Sequence, residues 1–173
     1  MLEVIIVDGT NPGLVETARS LFLEYSDELG EDMCFQGFDE ELAVLPGKYG
    51  PPDGLLLLGQ VSGTPIGCVA LRPISPIPHP PPHAQSNAER GSPDACEMKR
   101  LYIRPKFRGE AFGREMAEEI IAGAQRLGYK TMLLDTLARL VPAIMLYRSM
   151  GFVEREPYYD NPIQGVVYME KSL

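Results

Sequence analysis

From Cys96 to Leu127 the chain runs as a strand, a basic glycine-containing turn and a helix in immediate succession, and this segment constrains the fold more than any other. The strand carries Met98, Leu101 and Ile103 as apolar members and stops at Pro105. The turn is Phe107-Arg108-Gly109-Glu110-Ala111-Phe112-Gly113. The helix from Arg114 to Leu127 places Met116, Ala117, Ile120, Ile121, Ala124 and Leu127 on one stripe, with Glu115, Glu118, Glu119 and Arg126 off it. A glycine-containing turn that opens a helix leaves several backbone N–H groups unpaired and aimed at one spot. The helix dipole adds partial positive charge there, so the spot suits a phosphate or pyrophosphate. Arg108 at the mouth supplies a full charge and a planar fork of donors. The segment outlines a nucleotide-phosphate site.

Spacing narrows the nucleotide. A P-loop ends in Gly-Lys-Ser/Thr, whereas Gly113 is followed by Arg114-Glu115. A Rossmann fingerprint needs three glycines and an acidic residue about 20 residues on; here Gly109 and Gly113 flank Ala111. The arrangement resembles instead the coenzyme A loop of the GNAT acetyltransferase superfamily, Arg/Gln-x-x-Gly-x-Gly/Ala. On this chain the signature falls on Arg108, Gly109, Glu110, Ala111, Phe112 and Gly113, with Arg114 next. Ala111 stands where the superfamily usually has glycine, and Glu110 sets an acid beside a loop meant for anions. A second motif of the superfamily, Ala-x-x-Leu-Tyr-x-x-x-Gly-Phe, maps without gaps onto Ala143, Leu146, Tyr147, Gly151 and Phe152. The usual asparagine three positions before the alanine is replaced by Leu140. Two motifs in the right order are far more specific than either alone. They cover Cys96 to Phe152; the first half of the chain is similar mainly in its order of elements.

The resemblance implies an α/β (α+β) fold with a mixed central sheet flanked by helices, whose central strands splay to form a coenzyme A cleft. The length, 173 residues, suits one domain spanning 1–173. A net charge of −8 and a pI near 4.8 argue against nucleic acid. Cys34, Cys68 and Cys96 are scattered and odd in number, without metal-ligand spacing, which suits a reducing cytosol. The start carries no signal-peptide pattern, and the longest apolar run, Leu55 to Leu58, is too short for a bilayer. The expectation is a cytoplasmic protein without a membrane partner, monomeric or homodimeric.

Along the chain, Leu2 to Val7 reads as an edge strand. Asn11-Pro12 opens a helix with Leu14, Ala18, Leu21, Phe22, Tyr25 and Leu29 on its stripe, and Gly30 closes it. A short helix follows over Phe38 to Leu45, then a Pro/Gly loop to Asp53. Gly54 to Val61 and Thr64 to Leu71 form a hairpin around Ser62-Gly63. Residues 73–94 hold seven prolines and read as a mobile surface insertion. Lys130 to Asp135 is a strand, and Val166 to Lys171 is a last one, with Val167 and Met169 on one face.

Acetyl transfer to an amine requires a base for its proton, donors for the carbonyl oxygen and an acid for the departing thiolate. His79 and His83 both lie in the proline-rich insertion, so a serine–histidine or cysteine–histidine engine does not fit. No metal is expected. By the resemblance, Glu97 on the coenzyme strand takes the amine proton through water and Tyr147 protonates the thiolate. Glu97 is equally an ion-pair partner for Lys99 or Arg100, and Tyr147 is equally an amphipathic core tyrosine. The same resemblance implies that the backbone around Leu101, Tyr102 and Ile103 holds the thioester carbonyl and pantetheine arm of acetyl-CoA, the expected cosubstrate. Arg104 reaches a phosphate or is a solvated charge. Cys96 reads as a small buried residue rather than a nucleophile.

The acceptor that the resemblance implies is a small-molecule amine or a peptide or protein amine. Regions that build acceptor pockets in this fold hold Tyr25 and Phe35 early in the chain and Tyr158, Tyr159 and Asp160 late in it. Ring faces and a counter-charge there suit a cationic amine, although Tyr158 and Tyr159 also read as core packing. Two functions remain open: an N-acetyltransferase using direct transfer in a ternary complex, and a non-catalytic acyl-CoA-binding or ligand-sensing module.

Overall fold

The computed structural model describes residues 1–33, 37–74 and 94–173. Its elements run β1 (Glu3–Ile6), α1 (Pro12–Leu29), α2 (Phe38–Ala43), β2 (Leu55–Val61), β3 (Thr64–Ile74), β4 (Ala95–Ile103), α3 (Phe112–Arg126), β5 (Thr131–Leu137), α4 (Val141–Ser149), β6 (Val153–Arg155) and β7 (Val166–Ser172). The strands form one sheet in the order β1-β2-β3-β4-β5-β7-β6. All neighbours are antiparallel except β4 and β5.

Local chemistry sets the elements. Asn11 accepts from the N–H groups of Gly13 (2.9 Å) and Leu14 (3.3 Å), Pro12 takes the first turn of α1, and Gly30 ends the helix at φ 67°. Ala18, Leu21 and Phe22 of α1 are buried with Tyr49, Leu56 and Leu58 on one face of the sheet. On the other face Met116 and Ile120 of α3 and Tyr147 of α4 pack against Val69, Met98 and Met132. Among the described residues no helix is long and apolar enough to cross a membrane.

β4 decides the site. Cys96, Met98, Leu101 and Ile103 all face α3 and α4, although 98 and 101 are an odd number apart. The ladder to β3 slips between them: Cys68 pairs with Tyr102 but Ala70 pairs with Lys99. Arg100, at φ 59°, is the extra residue of a bulge that turns Lys99 and Arg100 to the α1 and α2 face. On its other side β4 pairs with β5 only over Ala95–Thr131, Cys96–Met132 and Glu97–Leu133. Past Glu97 the two central strands part, as the sequence resemblance implies.

The structure moves one boundary of the insertion and adds a strand to the sequence reading. The insertion read at 73–94 starts later, because β3 continues through Pro73 and Ile74, paired with Cys96 and Ala95. The last β2–β3 pair is Leu55 with Leu71, so one side of Pro73 is a free edge, where a missing N–H is tolerated. Residues 75–93 of the insertion lie outside the described residues. β6 has no counterpart in the sequence reading; it is three residues long and its Val153 is exposed, so alternation gives it away nowhere.

Candidate active site

The gap between β4 and β5 holds a cavity of about 80 Å³. Met98 to Leu101 form one wall and Leu134 to Leu137 the other, with Tyr25 of α1 on one side and Ala143 and Tyr147 of α4 on the opposite side. The cavity therefore passes between the two faces of the sheet. Its β4 wall includes backbone. The Arg104 N–H donates to the Ile66 carbonyl on β3 (2.8 Å), and strand alternation then points the amides of Ile103 and Leu101 the other way, into the gap. Tyr102 turns its ring to the α1 side, edge-on to Tyr25 at 6.1 Å between centroids.

Below β4 the chain reverses at Gly109 (φ 87°) and Ala111 (φ 64°), and Ala111 is the N-cap of α3. The Ala111 carbonyl accepts from the N–H groups of Arg114 (2.9 Å) and Glu115 (3.1 Å), which starts the helix. The backbone N–H groups of residues 109, 110, 111, 112 and 113 have no backbone partner among the described residues. Five adjacent donors at a helix N-terminus suit a phosphate or pyrophosphate. The left-handed backbone at Ala111 gives the physical reason that the signature prefers glycine there.

Arg108 is not aimed at that turn. Its Nε donates to the Ile103 carbonyl (2.7 Å), Nη2 pairs with Glu28 (2.7 Å), and the guanidinium lies over the Tyr102 ring. Arg114 donates to Ser149 Oγ (2.6 Å), joining the first turn of α3 to the end of α4. Glu110 is exposed. Arg104 is neither solvated nor at the turn: it grips Glu24 of α1 through Nε (2.9 Å) and Nη2 (2.6 Å).

Tyr147 lies in the cavity wall, 8 % exposed, with its ring edge-on to Phe152. No hydrogen bond ties its hydroxyl to another described residue. Burial, with Tyr25 and Asp135 adding to it, pushes the phenol far above its ordinary value, so it holds its proton at neutral pH.

Glu97 is 0 % exposed and absent from the cavity wall. Arg72 reaches its Oε2 through both Nε and Nη2 (2.7 Å each), the Tyr158 hydroxyl donates to Oε1 (2.7 Å), and Lys99 stands 3.5 Å away. Burial pushes the carboxyl up, but Lys99, Arg72 and Tyr158 outweigh it and hold it below its ordinary value. That environment suits an ion-pair anchor and opposes a base in contact with substrate. Lys99 is the partner the sequence suggested; Arg100 is not, because the bulge sends it to Glu41 at 2.8 Å. Cys96 is buried, its thiol pushed up to about 12 by burial, as befits a core residue.

The carboxylate that does reach the cavity is Asp135 of β5, which sequence reading left as a strand end. Its Oδ1 accepts from Lys99 Nζ (3.0 Å) and its Oδ2 from the Tyr159 hydroxyl (2.9 Å) and Asn161 Nδ2 (3.5 Å). Asn161 and Lys99 also line the cavity. The loop tyrosines pack: Tyr158, Tyr159 and Tyr168 meet ring against ring at 5.3–5.6 Å. The Tyr158 hydroxyl holds Glu97, that of Tyr159 holds Asp135, and that of Tyr168, on β7, donates to the Tyr159 carbonyl (3.2 Å). Asp160 is exposed and Asn161, its neighbour, takes the place in the wall. Tyr25, expected to contact the acceptor, lines the cavity, and Phe35 lies outside the described residues.

The profile of the acetyltransferase (GNAT) family matches residues 17–152, which takes in both sheet faces, the gap and the turn. The chain belongs to the GNAT acetyltransferase family. An uncharacterized N-acetyltransferase of Schizosaccharomyces pombe is 45 % identical over 163 residues, covering 94 % of this chain and 90 % of that protein. The IAA acetyltransferase of Azospirillum brasilense is 32 % identical over 125 residues, 70 % of each chain. Among solved structures, a GNAT acetyltransferase from Staphylococcus aureus superposes with a TM-score of 0.73 at 15 % identity, covering 99 % of both chains. The PaiA N-acetyltransferase of Thermoplasma acidophilum, in complex with coenzyme A, superposes at 0.67 with 16 % identity over 100 % of this chain and 99 % of that one. This GNAT chain is thus an acyltransferase, with the sheet, gap and helix-opening turn of its family.

Proposed function

We propose that this chain moves an acetyl group from acetyl-CoA to a primary amine by direct transfer in a ternary complex. The observation that carries the reading is the continuity of three features. Five unpaired amides at residues 109–113 lead to the unpaired β4 edge at Leu101 and Ile103, and that edge borders the cavity wall holding Tyr147. The donors suit the charge and length of coenzyme A: the α3 N-terminus for pyrophosphate, the β4 amides for the arm and the thioester carbonyl. When bound, acetyl-CoA supplies the activated acyl group. The chain's own part is to hold that carbonyl and to deliver a proton to the thiolate as the C–S bond breaks; the proton that the amine sheds as the N–C bond forms leaves to water. Tyr147, protonated and without a competing partner, is the acid in this reading.

Glu97 keeps a place in the reading, but at one remove from the amine. Its carboxylate is sealed behind Lys99 and Tyr158, so it acts by holding Lys99 against Asp135 and by fixing the Tyr158 loop. The acceptor enters on the Tyr25 side. Tyr147→Phe keeps the shape and removes the proton, so kcat should fall about 10²–10⁴-fold while coenzyme A affinity by calorimetry stays put. Unchanged turnover on an amine that wild type acetylates would remove Tyr147 from proton transfer. If wild type binds acetyl-CoA but releases no thiol with any amine in a broad panel, the non-catalytic acyl-CoA module becomes the better reading.

A further inference from the structure

Two phenols and one carboxylate converge on the cavity from three elements: Tyr25 of α1, Tyr147 of α4 and Asp135 of β5. Tyr147 is more than nine-tenths buried, yet its hydroxyl has no partner among the described residues. Asp135 is held by charge on one oxygen alone. Lys99 takes Oδ1, while the donors on Oδ2, Tyr159 and Asn161, are neutral. Lys99 itself is shared with Glu97, and Arg100 is matched by Glu41, so neither cation in the wall is left for an anionic ligand. Beyond these groups and Thr136, the wall is lined by apolar side chains, among them Leu29, Met33, Leu137, Leu140 and Ile163.

We propose that Asp135 is the anchor for the acceptor's ammonium group and that the cavity selects primary amines carried on an apolar alkyl or aryl body. The inference rests on the acetyl-transfer reading above and names its acceptor class. Two neutral donors fill Oδ2 and orient the carboxylate, and Lys99, which it shares with Glu97, takes one position on Oδ1, so an ammonium takes the remaining acceptor position on Oδ1 as a charge-assisted hydrogen bond. Tyr25 and Tyr147 offer hydroxyl oxygens as further acceptors to the same group. Burial raises the proton affinity of both phenols; at Tyr25 the charge of Arg100 opposes it and Asp135 adds to it, and at Tyr147 both Tyr25 and Asp135 add to it, so each hydroxyl keeps its proton and presents its oxygen as an acceptor. A polyamine would lay its second cation on Leu137 and Leu140, and an amino acid would bring its own carboxylate against Asp135; both are disfavoured.

The test is equilibrium binding of 2-phenylethylammonium and its neutral isostere 2-phenylethanol at pH 7, titrated into wild type and Asp135→Asn. Wild type should bind the ammonium about ten-fold or more tightly than the alcohol. Asp135→Asn should bring that ratio close to one while sparing the alcohol, whereas damage to the fold would weaken both ligands alike. Leu140→Lys sets a cation on the wall without touching Asp135 and should abolish the ratio as well; it decides the matter if Asp135→Asn does not fold. A wild-type ratio near one, a ratio that survives in a folded Asp135→Asn, or a ratio that survives Leu140→Lys would overturn the assignment. Thiol release from acetyl-CoA with the same amine is followed in parallel. Ammonium preference without thiol release leaves the anchor standing and overturns the transfer; thiol release without preference does the reverse.

Discussion

Ala111 shows what a single residue's backbone can decide. It caps α3 with φ 64° and ψ −1°, a conformation that crowds an L side chain against its own carbonyl. Glycine there would relieve the strain while giving more entropy to the unfolded chain, and the first effect is the larger. Ala111→Gly should therefore stabilise the fold by about 0.5–1 kcal/mol, read as a higher urea midpoint with an unchanged slope. The departure from the signature was legible as a departure; its sign needed φ. Asp135 was hidden for a different reason. It follows Met132-Leu133-Leu134, so it looks like the polar end of a strand, while β5 runs on to Leu137 and keeps it inside. A charged residue in phase with the buried Leu133 was the available hint.

At the scale of the element, β4 carries its bulge in plain sight. Cys96 and Met98 alternate on one phase and Leu101 and Ile103 on the other, so the apolar pattern alone marks a one-residue slip between 98 and 101. What the pattern could not show is the partner that the slip selects. Arg100 swings to α2, where Glu41 accepts from its Nε (2.8 Å) and Nη2 (3.2 Å), and Tyr49 and Lys48 each reach Glu41 at 2.9 Å. The Arg100 and Glu41 side chains are 4 % and 1 % exposed, so water cannot replace either. Glu41→Gln leaves the guanidinium buried against a neutral group and should cost about 3–5 kcal/mol in chemical unfolding. A loss under about 1 kcal/mol would mean that α2 shifts to hydrate Arg100. The motif-bearing elements were read within a few residues of their ends, because caps and stripes are local; β6, with neither, was not.

Across the whole molecule the buried carboxylates make the fold sensitive to acid. Burial raises Glu41 and Glu97, but the cations beside them prevail, and both sit below the ordinary value of 4.5 when folded. A carboxyl whose folded pKa is depressed stabilises fully above its unfolded value and loses that contribution as pH falls through the folded one. Stability should change little between about pH 6 and 5 and drop steeply below about 4.5, followed by urea midpoints in a pH series. Glu41→Gln should flatten part of that drop as well as lowering the plateau.

The same charge matching limits how a sequence of this kind can change. Arg72, Lys99, Glu97 and Asp135 balance two against two inside the protein, on three different strands. Any one replacement strands an opposite charge, and the paired positions lie 25 (Arg72 and Glu97), 2 (Lys99 and Glu97) and 36 (Lys99 and Asp135) residues apart, so no single substitution restores the balance. The four positions therefore form one inherited unit. Exchange within it proceeds by paired substitutions or through an unstable intermediate, and a library built one site at a time would report all four as immutable when only their sum is.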